Sequence, residues 1–309
     1  MRNAVAVIDV GSNSIKLLVA ALREDGSIQT KFSETVETRI SEGISHELPV
    51  LTKAAMTSGV ETIIELLRQA REFKPDRIAI VATSAVRDAM NGMDFIDAVE
   101  EATGIEMRVL SGIEEATYIG RGLACDPAIE GKRDFIQMDI GGGSLELIRL
   151  RDAQIDEAIS LRLGAVRISE RFIGDAQAPV TNHAEIAIRA YITAELTQSR
   201  FSFTPDTLPL IATGGAFVVS RAVLAAQAGV DIEDHSATLC YDDLEALKSR
   251  LCGLSLHERL AVPHLPASRA DIIPTALITI LALLQHAGRQ EITHSFYNLR
   301  YGIAAELLA

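Results

Sequence analysis

Hydrophobic positions follow two rhythms along this chain, and their order outlines its architecture. Val5, Ala6, Val7 and Ile8 form an apolar run that meets Asp9 and the small residues of "DVGSNS" (9–14), after which Ile15, Leu17, Leu18 and Val19 resume it. Runs of this length bounded by turn residues predict strands over 4–10, 14–22 and 28–36, with Asp25 and Gly26 turning the chain between the last two. From 52 to 72 the spacing becomes helical: Val60, Ile63, Ile64 and Leu67 share a face, Thr52 opens the segment and Pro75 follows its end. "RIAIVA" (77–82) predicts a short buried strand, and a helix through 93–103 and a strand at 106–110 follow.

The pattern then starts again. Strands are predicted at 134–140, 144–150 and 154–162, helices near 165–173 and 182–198, a strand at 208–213 running into "TGG", and a helix at 215–227. Two or three further helices fill 241–288, and a strand near 291–298 and the short helix of "RYGIAAELLA" close the pattern. Setting Asp9 on Asp139 aligns Val10 with Ile140, Gly11 with Gly141, Ser14 with Ser144, Ile15 with Leu145, Leu17 with Leu147 and Leu18 with Ile148. Solenoid repeats recur every ~20–50 residues, so one recurrence at this longer distance predicts two similar domains.

Composition narrows the class. At 309 residues and 48% apolar content the chain has material for two cores. No basic leader precedes a long apolar stretch. The longest apolar run, Ile272 to Leu284, contains Pro274, Thr275 and Thr279 and falls short of the ~20 residues a bilayer crossing needs, which predicts a buried core helix and no membrane partner. Cys125, Cys240 and Cys252 are odd in number and widely spaced, as expected of reduced thiols in a cytoplasmic protein. The seven histidines lack the tight spacing of a zinc site. A formal net charge of −13 argues against nucleic acid as a partner but leaves room for a small polyanion held by backbone amides, a few arginines and a cation.

The two aligned turns are the first place to look for such a site. A strand, a small-residue turn and a returning strand gather backbone N–H groups around a concavity, and glycine lets phosphate oxygens approach without a Cβ in the way. Gly11, Ser12, Asn13 and Ser14 form one candidate phosphate loop and Gly141, Gly142, Gly143 and Ser144 the other. Asp9 and Asp139 close the incoming strands, and a carboxylate beside a phosphate calls for a cation between them, here Mg²⁺ with retained waters. An ordinary hairpin uses similar residues, but two matching copies favour binding. No Gly-Lys-Ser/Thr follows, so neither turn is a Walker-type loop. "ATGGA" (212–216), with Gly214, is either a phosphate or nucleotide edge or a tight strand-to-helix turn.

"LSGIEEA" (110–116) carries the candidate base. Ser111 and Glu114 have capping-box spacing, which gives Glu114 a structural task and turns Glu115 about 100° away on the helix. Glu115 is then either a solvated first-turn acid or a carboxylate that activates a water in line with phosphorus. Arg87, in "ATSAVRDA", either reaches a substrate phosphate or pairs with Asp88 or another nearby acid. Arg162, Arg167, Arg171, Arg269 and Arg300 are further cations whose places the sequence does not give.

In order and spacing, "VIDVGSNSIKLLVA", "VATSAVRDA", "LSGIEEA", "MDIGGGSLEL", "SLRLGAVRISERF", "IATGG" and "NLRYGIAAELL" resemble the exopolyphosphatase and guanosine pentaphosphate phosphohydrolase (Ppx/GppA) family, nearly end to end. The resemblance implies an α/β protein of two ribonuclease H-like domains of the actin, sugar kinase and Hsp70 superfold, with phosphate hydrolysed in the interdomain cleft. It assigns 1–120 and a returning helix at about 298–309 to the first domain and 121–297 to the second. It makes Glu115 the base, Arg87 a substrate contact, the two loops phosphate binders, and Asp139, Glu146 and, less strongly, Asp9 the acids that handle Mg²⁺ and its waters.

The chain departs from that family's pattern at Thr117, where an arginine is common, at Ala216, where a threonine is common, and at Tyr301, where a glutamate is common. The absence of the longer members' C-terminal domains implies poor processivity or a preference for shorter chains. The expected activity is release of terminal phosphate from inorganic polyphosphate. Guanosine pentaphosphate is the alternative substrate, and a non-catalytic polyphosphate or nucleotide sensor the alternative of another class. A homodimer is a family expectation.

Overall fold

The computed structural model describes residues 4–129, 131–152, 154–204 and 208–309. Contacts divide the chain into two compact units, Met1–Gly131 with Tyr297–Ala309, and Lys132–Phe296.

The first unit is built on an antiparallel meander, β1 (Ala4–Val10), β2 (Ser14–Leu22) and β3 (Ile28–Glu37), extended by β4 (Arg77–Ala82) and β5 (Met107–Val109), both parallel to β1. The strand order is β3-β2-β1-β4-β5, so β1 has neighbours on both sides and Val5 to Val10 are buried without interruption. That is why the opening run is apolar on both faces and does not alternate. Helices α1 (Lys53–Glu72), α2 (Ser84–Asp88), α3 (Gly92–Thr103) and α4 (Gly112–Leu123) complete this part of the unit. The Thr52 hydroxyl caps α1 by accepting from the Ala55 amide, as its place before the helical run predicts.

The second unit repeats the plan with β6 (Phe135–Ile140), β7 (Leu145–Arg151) and β8 (Gln154–Leu161), then α5 (Ala165–Phe172), α6 (Asn182–Ser199), β9 (Leu210–Thr213) and α7 (Gly215–Ala228). There follow β10 (Thr238–Cys240), α8 (Tyr241–Gly253), α9 (Leu256–Leu260), α10 (Ile273–His286) and β11 (Glu291–His294). Its order is β10-β11-β9-β6-β7-β8, with β9 parallel to β6 and β11 parallel to β9. The correspondence extends below the level of topology. Each meander has a register shift between its second and third strands, the extra residue lying on the third: Lys31 of β3 opposite the Val19–Ala20 step and Asp156 of β8 opposite the Arg149–Leu150 step, two steps that the repeat aligns. A bulge at the same place gives both sheets the same local bend.

Residues 273–284 of α10 are all buried, against α6 and α8 among others, which accounts for the long apolar run; among the described residues no helix is long and apolar enough to cross a membrane. The last predicted strand, near 291–298, is shorter than expected: β11 stops at His294, and Asn298 already caps the final helix, α11 (Leu299–Leu308), through its side-chain oxygen. Helix α11 packs on α4 and on β1 and β2. The approach to α4 is backbone on backbone: a Cβ at Gly302 would lie 2.7 Å from the Tyr118 carbonyl carbon and 3.0 Å from the Gly122 amide nitrogen.

Candidate active site

The two loops are the same turn made twice. Gly11 N–H donates to the Ser14 carbonyl at 3.1 Å, and Gly141 N–H to the Ser144 carbonyl at 3.0 Å. In the first loop Ser12, Asn13 and Ser14 are buried; the Ser12 hydroxyl lies 3.0 Å from that of Ser84, and the Asn13 amide donates to Glu37. These side chains hold the turn in shape, so what this loop can offer an anion is chiefly its backbone amides. In the second loop Gly141 and Gly142 are half-buried while Gly143 and Ser144 are buried.

The capping box opens α4 as predicted. Ser111 Oγ accepts from the Glu114 amide at 3.2 Å and Glu114 Oε2 accepts from the Ser111 amide at 2.9 Å. Those bonds, with the Arg108 guanidinium, hold the Glu114 carboxyl down at about 2. Glu115 points inward and is only 8% exposed. Arg87, at the end of α2, donates through Nη1 to Glu115 Oε2 at 2.9 Å and to the Leu110 carbonyl at 2.8 Å, while its Nε lies 3.8 Å from Asp88. Of the two fates the sequence allowed for Arg87, the pairing is therefore present, and its shorter partner is Glu115. Among the described residues Arg87 Nη2 makes no hydrogen bond.

Helix α11 fixes α4 from behind. Tyr118 OH donates to Glu306 at 2.8 Å and accepts from Arg108 at 3.0 Å, and Arg121 pairs with Glu306 at 2.5 Å. The guanidinium groups of Arg108 and Arg121 both lie over the Tyr118 ring, at 5.6 and 5.4 Å from its centre.

The strand-end acids occupy aligned but differently charged settings. Asp9 stands directly across from Lys16 on β2, whereas Asp139 stands across from Glu146 on β7. Burial pushes the Asp9 carboxyl up, and Lys16 and Arg300 oppose that shift. In the second unit a polar row runs across four strands: Ser160 donates to Glu146 at 2.7 Å, Glu146 faces Asp139, and Thr213 donates to Asp139. Gly214 follows with φ +104°, and a Cβ there would sit 2.9 Å from Asp139 Oδ1 and 2.7 Å from the Ile140 carbonyl oxygen, so only glycine fits this turn.

Lys16, Ser160, Thr213 and Ser84 enter the description only through structure. Lys16 had a visible signal, since the repeat alignment sets it against Glu146; Thr213 and Ser84 had none. Arg300, which the sequence left unplaced, is buried and donates to the Leu17 carbonyl at 3.0 Å and to Ser33 at 3.2 Å. Arg167 lies beside the second loop, its Nε donating to the Gly143 carbonyl at 3.0 Å.

Like charges facing each other across a sheet are mutually destabilising. Asp139 and Glu146 form such a pair, with Glu146 almost wholly buried. A hard divalent cation satisfies this arrangement, and Mg²⁺ suits a site with few protein oxygens because it retains waters and takes phosphate oxygens. Within neither unit do three or more described His, Cys, Asp or Glu side chains converge as a complete metal cage. The acids therefore fit Mg²⁺ shared with waters and substrate. Asp9, already facing Lys16, fits it less well.

The model of the Ppx/GppA phosphatase family matches residues 18–309. An exopolyphosphatase from Cytophaga hutchinsonii is 26% identical, with a TM-score of 0.89 over 99% of this chain and 98% of that one. The Ppx/GppA family member of Aquifex aeolicus, at 23% identity, has the same fold with a TM-score of 0.81 over 100% of this chain and 98% of its own. The repeated meander, the paired turns and the acids at their strand ends are thus those of an actin-like two-domain fold, and the chain belongs to the Ppx/GppA phosphatase family.

Proposed function

We propose that this phosphatase removes terminal orthophosphate from inorganic polyphosphate, with Glu115 as general base. The observation that carries the reading is the Arg87–Glu115 pair, which holds a nearly buried carboxylate at 2.9 Å from a guanidinium. A fixed carboxylate accepts a proton from water as the water oxygen attacks the terminal phosphorus and the bond to the bridging oxygen breaks. Arg87 orients that carboxylate, and its Nη2 can donate to the phosphate under attack. The amides of Ser12 to Ser14 and of Gly142 to Ser144 take up phosphate oxygens, with Gly11 and Gly141 closing the turns behind them, and Gly214 keeps its turn close to Asp139.

Asp139 and Glu146 would hold Mg²⁺. When bound, the ion neutralises charge on the phosphate oxygens and on the leaving group. The reading of the relative from Cytophaga hutchinsonii as an exopolyphosphatase supports the choice of polyphosphate.

The test is orthophosphate release by the purified protein with Mg²⁺, then with chelator, on tripolyphosphate, long-chain polyphosphate and guanosine pentaphosphate. Glu115→Gln is measured alongside. Turnover of polyphosphate that falls by about 100-fold or more in the variant, with its thermal transition unchanged, is the expected result. Turnover of guanosine pentaphosphate alone would replace the substrate. A fully active Glu115→Gln enzyme would remove Glu115 from the mechanism.

A further inference from the structure

Both loops are braced by the segment that follows the third strand of their meander, although the repeat does not align these segments residue by residue. In the second unit the residues after β8 clasp the loop: the Val166 and Arg167 amides donate to the Gly142 carbonyl at 2.9 and 3.2 Å, and Arg167 Nε donates to the Gly143 carbonyl at 3.0 Å. In the first unit the residues after β3 do the same. The Thr38 and Arg39 amides donate to the Asn13 carbonyl at 3.1 and 3.0 Å, the Ser41 amide and hydroxyl donate to the Ser12 carbonyl at 3.3 and 2.9 Å, and Arg39 Nε donates to Asn13 Oδ1 at 3.3 Å. Asn13 and Gly143 are aligned by the repeat. One arginine after the third strand of each meander therefore bonds through Nε to the third residue of its loop.

Arg39 holds this position at a conformational cost. Its φ is +44°, in the left-handed region that a side chain other than glycine, asparagine or aspartate rarely adopts. Glycine would make the turn without strain, and Ile40 and Ser41, both buried, already anchor it. A strained non-glycine residue beside a binding loop indicates that its side chain, not its backbone, is the reason for its presence. That side chain is a half-buried guanidinium oriented along the loop, in a chain whose formal charge is −13.

We propose that Arg39 and Arg167 are a matched pair of positioning residues, each locking the third residue of a phosphate loop and adding positive charge beside it, so that together they set affinity for the phosphate chain. The inference rests on the phosphohydrolase reading above and adds two residues to it. Arg167 is the more buried of the two and acts through Gly143; Arg39 acts through Asn13.

Arg39→Gly, Arg39→Lys, Arg167→Gln and Arg167→Lys are assayed for tripolyphosphate hydrolysis, and tripolyphosphate binding is measured by calorimetry on the Glu115→Gln background at low and high salt. Losing one charged contact is expected to raise KM and Kd about tenfold while kcat stays within about threefold. Arg39→Gly should melt no lower than wild type, because the strain is relieved. Lysine should restore part of the affinity at low salt and less at high salt, since screening weakens a point charge without a fork. Unchanged KM and Kd in Arg39→Gly would overturn the proposal and leave Arg39 a surface residue. Equal losses of kcat and melting temperature without rescue by lysine would overturn it in favour of a purely structural brace. If wild type neither hydrolyses nor binds tripolyphosphate, the phosphohydrolase reading itself falls, a result distinct from the other two.

Discussion

Replacing Gly302 by alanine sets two effects of opposite sign against each other. Gly302 lies inside α11, where alanine is intrinsically better by about 1 kcal/mol. Its new Cβ, however, would sit 2.7 Å from the Tyr118 carbonyl carbon and 3.0 Å from the Gly122 amide nitrogen, both helix backbone atoms with no rotamer to give way. Ordinary contact begins near 3.4 Å, so the two helices must part or slide, loosening the Tyr118–Glu306 bond and the Arg121–Glu306 pair. Overpacking of this kind costs about 1–3 kcal/mol, and rigid backbone, with the Tyr118 carbonyl oxygen nearer still, puts it at or above the top of that range, so the clash outweighs the ~1 kcal/mol propensity gain and the net loss is about 2 kcal/mol or more. Gly253, at the end of α8 with nothing near its Cβ position, provides the control: alanine there meets no clash and should stabilise by up to about 1 kcal/mol. Urea denaturation followed by circular dichroism reads both signs. Because α4 carries Glu115, a shift of about 1 Å should also lower kcat by up to about 100-fold. A Gly302→Ala protein as stable and as active as wild type would refute the claim that α11 sets the position of α4.

Two other outcomes follow from the structure. Burial beside Arg221 pulls the imidazole of His294 from 6.5 down to about 3, so between those values the unfolded chain binds a proton that the native state does not, and stability falls as pH drops from 6.5. His294→Leu should remove that part of the slope, seen as a smaller drop in melting temperature between pH 7.5 and 5 than in wild type; an identical drop would rule out His294 as a source. Cys240 is exposed, whereas burial pushes the Cys252 thiol up to about 11, so a thiol reagent at pH 7.5 should modify Cys240 readily and Cys252 only on unfolding, as peptide mapping would show.

What could be read from sequence, and what could not, divides along physical lines. The two meanders were legible because DVGSNS and DIGGGS interrupt apolar runs with residues that only a turn accommodates, and α1 because Thr52 and Pro75 bracket a periodic face. Helix α2 and strand β10 were not predicted: five and three residues are too few to display a period. The inward turn of Glu115 followed from local geometry alone, since the capping box occupies Glu114. Its partner did not, because Arg87 and Glu115 are joined by the pairing of β4 with β5, which no local pattern records. Thr213 reaches Asp139 for the same reason, through the β6–β9 register across two intervening helices. Arg39 was invisible because a left-handed backbone is signalled by glycine, and here it is held by an arginine.

The return of α11 to the first unit also bears on synthesis. Translation delivers β1 to α4 first, then all of Lys132–Phe296, and only afterwards the helix that packs on α4 and sends Arg300 to the Leu17 carbonyl. Domains ordinarily fold in the order they emerge. Here the earlier one must wait, its α4 seat open, while the later one can finish. The nascent chain thus spends the interval with the helix that bears Glu115 unsecured, and α4 gains its backing only once the whole second unit has been made and α11 follows it.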